Sequence, residues 1–297
     1  MNNFFQALAT KLAERWVALL FVPGALLVAA TWAGIRLGHT LDAARLTQAA
    51  STVTASFAAR PAGVQALSIA TLLLVTTGAG WAVQTLAPVT RGLWLGQWPF
   101  LRGQRIARRR ARWRRHVERR RRLARDHPAE SRTPEQQESI DAAAGRANRV
   151  ALAQPGRATW MGDRVHAVEQ VALDRYGLDL AFAWPRLWLV LPDATRAELN
   201  AANAAFAGAV ATGTWAWPYL LLGVVWWPAA VAGVVVGVTG WVRARGAIAD
   251  LSALSEAVLD LHTRTLAVSL GVGSPDAAGP ITVAEGEEVT SLVRKGR

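Results

Sequence analysis

Apolar residues in this chain fall in long blocks, without the two-residue period of a strand. Trp16 to Ile35, WVALLFVPGALLVAATWAGI, is a run of 20 residues with no charge. As a helix it is about 30 Å long, the thickness of a bilayer core. Pro23-Gly24 inside it predicts a kink. Val64 to Leu86 is a second such run, whose Thr71, Thr76 and Thr77 can return their hydroxyls to helix carbonyls. Gly208 to Val242 holds 35 residues and no charged side chain. One straight helix of that length would exceed about 50 Å. Two spans turning at Trp226-Trp227-Pro228 fit better, with the tryptophans at the interfacial belt. The pattern therefore predicts an all-α integral membrane protein: four transmembrane helices (about 16–35, 64–86 and two within 207–242) and a cytoplasmic helical module.

Between the blocks the chain is polar. Met1 to Arg15 reads as an amphipathic helix with Phe4, Phe5, Leu8 and Leu12 on one face. As the basic region of a signal peptide it would precede an apolar run longer than the usual length of about 7–15 residues. Arg36 to Ala62 is an exposed helix or loop. Glu135 to Ala153 carries Ile140, Ala144, Ala147 and Ala151 at helical spacing. Gly162 to Tyr176 is a helix with Val165, Val168 and Ala172 inward, Gly177 as its C-cap and Asp179 capping the next turn. Leu178 to Leu191 is aromatic and interrupted by Pro185. Asp193 starts a helix able to run unbroken into the third apolar block. After Arg243 and Arg245, the residues Leu251, Leu254, Val258, Leu261, Thr265 and Val268 repeat at three and four, a stripe that packs on other helices. Residues 272–297 form a flexible tail, with a hairpin around Glu285-Gly286-Glu287 as its ordered alternative.

Charge adds an orientation. The formal net charge is +12, and only Lys11 and Lys295 are lysine. Arg102 to Arg125 has thirteen arginines in 24 residues and a single acid, Glu118. Positive residues close to a span stay cytoplasmic. Arg91 to Phe206 carries 22 arginines against twelve acids, so this region and both termini are placed on the cytoplasmic side of the cell membrane. Topology alone accounts for the run without a partner. The functional alternative is contact with anionic lipid through Arg108, Arg109, Arg110, Arg112, Arg114, Arg115, Arg119, Arg120, Arg121 and Arg122. Binding to a specific nucleic acid is disfavoured, because so basic a helix neutralises phosphates of any sequence. Gly233 and Gly237 give a small-xxx-small face for helix packing, within the chain or in a homo-oligomer.

Candidate chemistry is sparse. The chain has no cysteine, which excludes disulfides and thiolate ligands. No phosphate loop, dinucleotide fingerprint or hydrolase elbow is present, and no cofactor is implied. Asp163, His166 and Glu169, three apart on one helix, are the best metal constellation, but an ordinary solvated face is preferred and no metal site is expected, since catalytic sites usually draw ligands from several elements. The spans contain no Asp, Glu, Lys, Arg or His, which disfavours a proton-coupled pump.

The segments KLAERWVALLFVPGAL (Lys11 to Leu26), GDRVHAVE (Gly162 to Glu169), RYGLDL (Arg175 to Leu180), WPRLWLVLPD (Trp184 to Asp193) and WWPA (Trp226 to Ala229) resemble an actinobacterial family of multi-pass membrane proteins. The resemblance implies membrane residence and a cytoplasmic helical module. It brings no activity, ligand or catalytic residue. The readings that follow are a non-enzymatic scaffold or signalling adaptor that binds a cytoplasmic protein, an oligomeric pore or membrane-disrupting effector, and a transporter or intramembrane enzyme.

Overall fold

The structure is a computed structural model that describes residues 21–39, 42–98, 100 and 102–294. Every regular element among these residues is helical. The chain forms two compact units, Met1–Thr90 with Ala207–Arg243, and Arg91–Phe206 with Ala244–Arg297. The expected amphipathic helix at Met1 to Arg15 lies outside the described residues.

The first unit is built from α1 (Val22–Leu37), α2 (Ala43–Ala58), α3 (Ala62–Gln84) and the start of α4 (Ala87–Trp94). Pro23 occupies the first turn of α1, where its missing N–H costs no hydrogen bond. Gly24 lets α1 close on α3: a Cβ there would fall 2.1 Å from the Thr76 carbonyl oxygen. Two of the α3 threonines behave as expected, Thr71 donating to Leu67 O at 2.8 Å and Thr76 to Leu73 O at 3.0 Å. Asp42 starts α2 by accepting from the amides of Ala44 and Arg45.

The rest of this unit is a helical hairpin. α9 (Asp193–Thr214) runs unbroken into the third apolar block, as expected, and stops at Trp215, after which α10 (Ala216–Leu222) follows. After a turn, α11 (Trp227–Ser269) begins with Pro228 in its first turn. Four close approaches fix the register. A Cβ on Gly240 would meet Gly213 at 2.6 Å, on Gly237 Ala216 at 3.1 Å, on Gly233 Leu220 at 2.9 Å, and on Gly223 Ala230 at 2.4 Å. One index falls as the other rises by the same step, which is antiparallel packing at small residues. Gly233 and Gly237 thus pack within the chain. At one end Trp217 Nε1 donates to Thr90 Oγ1 at 3.1 Å, and Thr214 Oγ1 lies 3.1 Å from the same oxygen. Both hydroxyls are buried, so this node satisfies them without water.

By length and composition, two stretches among the described residues are long and apolar enough to cross a membrane, Ala62–Trp94 and Trp227–Ser269. Of the other two expected spans, 16–35 is described only from residue 21, where its helix has 16 residues, and the first hairpin arm is divided at Trp215.

The second unit contains α5 (Arg102–Asp126), a 3-10 turn (Ala129–Ser131), α6 (Pro134–Val150), α7 (Trp160–Tyr176), α8 (Leu180–Val190), the first half of α9, the rest of α11, and α12 (Val283–Arg294). Thr133 and Gln136 form a reciprocal capping box at the start of α6. Gly177 takes the left-handed conformation (φ 64°) that ends α7, and Asp179 caps α8 by accepting from Ala181 N. Pro185 does not interrupt α8: the helix passes through it, forgoing one backbone bond.

The core of this unit joins Val168, Ala172 and Tyr176 of α7, Ala183 and Leu187 of α8, Leu199 of α9, Val258, Leu259 and Leu266 of α11, and Val289 and Val293 of α12. Val165, expected inward, is exposed. Residues 283–294, expected as a hairpin or a flexible tail, are a docked helix. Thr282 and Glu285 cap it reciprocally: Thr282 N donates to Glu285 Oε2 at 2.7 Å, and Glu285 N to Thr282 Oγ1 at 3.3 Å.

Candidate binding groove and basic helix

α5 carries thirteen arginines and two carboxylates, a net +11 of the chain's +12. Like charges at three and four residues along a helix destabilise it by about 0.2–0.5 kcal/mol per pair. The helix forms because one narrow face is used elsewhere. Ile106, Arg109, Trp113 and Val117 turn toward α6, whose Ile140, Ala143 and Ala147 are buried. Trp113 Nε1 donates to Ala151 O at 3.0 Å and Arg109 Nη2 to Val150 O at 2.7 Å. Both carbonyls lie at the C-terminus of α6, where unpaired acceptors and the helix dipole favour a cation.

Arg109 and Arg110 are therefore not interchangeable with the other candidate arginines. Arg109 Nε also donates to Asp163 Oδ2 at 2.7 Å, and Arg110 Nε to Pro155 O at 2.7 Å. Arg108, Arg112, Arg114, Arg115, Arg119, Arg120, Arg121 and Arg122 are exposed. Asp163 is the hub on the other side. It is 2% exposed, and its Oδ1 accepts from Gly156 N and Arg157 N at 2.9 and 2.7 Å. The metal constellation is thereby dispersed: Asp163 holds backbone and guanidinium, while His166 Nδ1 lies 3.1 Å from Glu169 Oε2. Among the described residues no group of three or more His, Asp or Glu could hold a metal ion.

The stripe expected to pack α11 is rotated. Val258 is buried and Leu251 and Leu254 are half-buried, but Leu261 is 73% exposed and Thr265 is exposed. Beside Val258, the residues turned inward include Ala244, Ile248, Ser252, Ser255, Leu259, Thr263 and Leu266. Ser252 and Ser255 give their hydroxyls to Ile248 O and Leu251 O, which removes them as free polar groups.

Alongside this stripe lies a groove of about 770 Å³ between α7, α8 and α11. Val165, Leu173, Leu180, Trp184 and Leu251 form its apolar surface, and Ser252 and Ser255 its floor. At its rim are the His166–Glu169 pair and an ion pair in which Arg294 Nη2 donates to Asp179 Oδ2 at 2.6 Å. The arrangement offers apolar contact with a polar edge, and its serine hydroxyls are already committed. Sequence reasoning did not assemble it, because its residues are spread over 130 positions from 165 to 294. The aromatic weight of residues 178–191 was the available signal.

α12 closes the end of the unit. Thr290 Oγ1 donates to Gly177 O at 2.9 Å and accepts from Asp179 N at 3.1 Å. Arg264 of α11 donates to Glu285 Oε1 at 2.5 Å and to Pro280 O at 2.9 Å. The Thr282 amide, and then the Arg264 guanidinium, hold the Glu285 carboxyl below the ordinary carboxylate range. Burial, reinforced by a short hydrogen bond to Asp260, pushes the Tyr176 hydroxyl up to about 12. No protein-family model, curated protein or solved structure matches this chain.

Proposed function

We propose that the protein is a membrane-anchored, non-enzymatic adaptor. Four segments cross the cell membrane with both termini inside, and the second unit is a cytoplasmic module that binds a protein partner through the groove on α7, α8 and α11. The observation that carries this reading is the surface of the first unit. Its large apolar side chains are outside: Leu67 is 68% exposed, Leu74 74% and Val224 76%, and Val231, Val234, Val235 and Val238 continue along α11. Exposed apolar side chains in this number need lipid or protein to cover them. The two shorter segments are supported by their neighbours, α1 by its contact with α3 and the first hairpin arm by its antiparallel register on α11. The excess of arginine in residues 91–206 supports the inside location of the second unit. An oligomeric pore is the second reading; the use of Gly233 and Gly237 inside the hairpin favours the adaptor over it.

The test is cysteine labelling of intact cells, free of background because the chain has no cysteine. Single cysteines at Thr47 and Trp227 should react with an impermeant reagent from outside, and those at Ser131 and Ser274 only after permeabilisation. Labelling of position 131 in intact cells would invert the topology.

A further inference from the structure

The exposed arginines of α5 are ordered. Arg108, Arg112, Arg115, Arg119 and Arg122 follow one another at steps of four, three, four and three, one row along a single side of the helix. The row extends over about 21 Å. Arg114, Arg121 and Arg125 form a second row, and between the two rows the outward ridge carries Ala107, Ala111 and Glu118. With one face against α6, the two rows together present eight arginines on the outward half of the helix. Long arginine side chains of both rows, on either side of the ridge, can reach a flat anionic surface that the ridge faces.

We propose that this outer half of α5 rests on an anionic phospholipid surface, its two arginine rows held by lipid phosphates. The proposal rests on the membrane reading given above. Two features beside the helix favour lipid over other polyanions. The seven residues between Trp94 and Arg102 can reach no more than about 27 Å from the end of an apolar stretch. That connection also ends in aromatics suited to the headgroup layer: Phe100 is 80% exposed, and Arg105 stacks on Trp98 with its guanidinium 4.0 Å from the ring centre. The ridge of Ala107 and Ala111 offers no large apolar side chain for insertion, so the attachment is electrostatic and reversible by salt.

The experiment uses the full chain with a single cysteine at Ala111, labelled with a fluorophore, in nanodiscs of phosphatidylcholine alone or mixed with phosphatidylglycerol. Acrylamide quenching reports exposure of the ridge. Phosphatidylglycerol should shield the probe several-fold, and about 0.5 M salt should restore quenching by screening. Each surface arginine contributes about a fivefold factor in association. The combined R108Q, R112Q, R115Q, R119Q and R122Q variant should therefore lose the shielding, whereas R146Q with R149Q on α6 should keep it. Equal quenching in both nanodiscs, or shielding that survives the five substitutions, overturns the proposal. External labelling of Ser131 with the lipid dependence intact would sink the topology and leave this contact standing.

Discussion

A methyl group at position 286 would fall 1.6 Å from the carbonyl oxygen of Tyr176. No rotamer relieves that clash, because both atoms belong to backbone positions fixed by helix packing. Gly286→Ala should therefore push α12 off the turn between α7 and α8, where overpacking costs about 1–3 kcal/mol and occasionally more. Limited proteolysis reads the outcome, with new cleavage around residues 271–282; an unchanged digest would mean that α12 tilts without undocking. Other residues matter for what they hold. Arg109 stands among identical neighbours in the sequence, and nothing in a run of arginines marks the one that meets a carboxylate 54 positions later. Asp163 misleads in the same way: its spacing to His166 and Glu169 suggests a shared ligand, while its carboxylate is fully engaged by Arg109, Gly156 and Arg157.

At the scale of elements, α11 shows where patterning works and where it fails. Among its buried positions, the row 244, 248, 252, 255, 259, 263 and 266 advances by four, four and three, an eleven-residue period close to the true pitch of a helix, with 247, 258 and 267 buried beside it. The apolar residues alone suggest a seven-residue period running through Leu261. Serines whose hydroxyls bond their own helix behave as small packing residues, and hydropathy cannot distinguish them from solvated ones. Leu259→Ala should cost about 2–5 kcal/mol in thermal or chemical unfolding. Leu261→Ala should stay within about 0.5 kcal/mol, as for an exposed position; equal losses would restore the seven-residue register. Caps were legible, as at Gly177 and Asp179, because each has a local mechanism. The turn before α11 was legible from its Trp-Trp-Pro. α12 was missed although Thr282-Val-Ala-Glu285 is a capping-box signature, because the β-branched residues after it drew the reading toward strands. The groove was not legible, since it exists only once α7, α8 and α11 are folded together.

At the scale of the molecule, charge and apolar surface are segregated. Nearly the whole net charge sits on one helix of the second unit, while the first unit turns valine and leucine outward. If that helix sets the proposed topology, replacing the exposed arginines of α5 with glutamine should yield molecules of both orientations, seen as partial labelling of a cysteine at Ser131 in intact cells. A single retained orientation would assign the choice to Arg91, Arg243 and Arg245. The tie between Arg109 and Asp163 also has a consequence in time. The ribosome makes the arginine run well before it makes the aspartate that anchors it. At about 5–20 residues per second, 54 further residues take several seconds. For that interval the nascent chain presents a self-repelling polycation without Asp163 to order it, and for most of it without a complete α6. Its first counter-ions are whatever phosphates lie near the exit tunnel, and the native contacts must displace them.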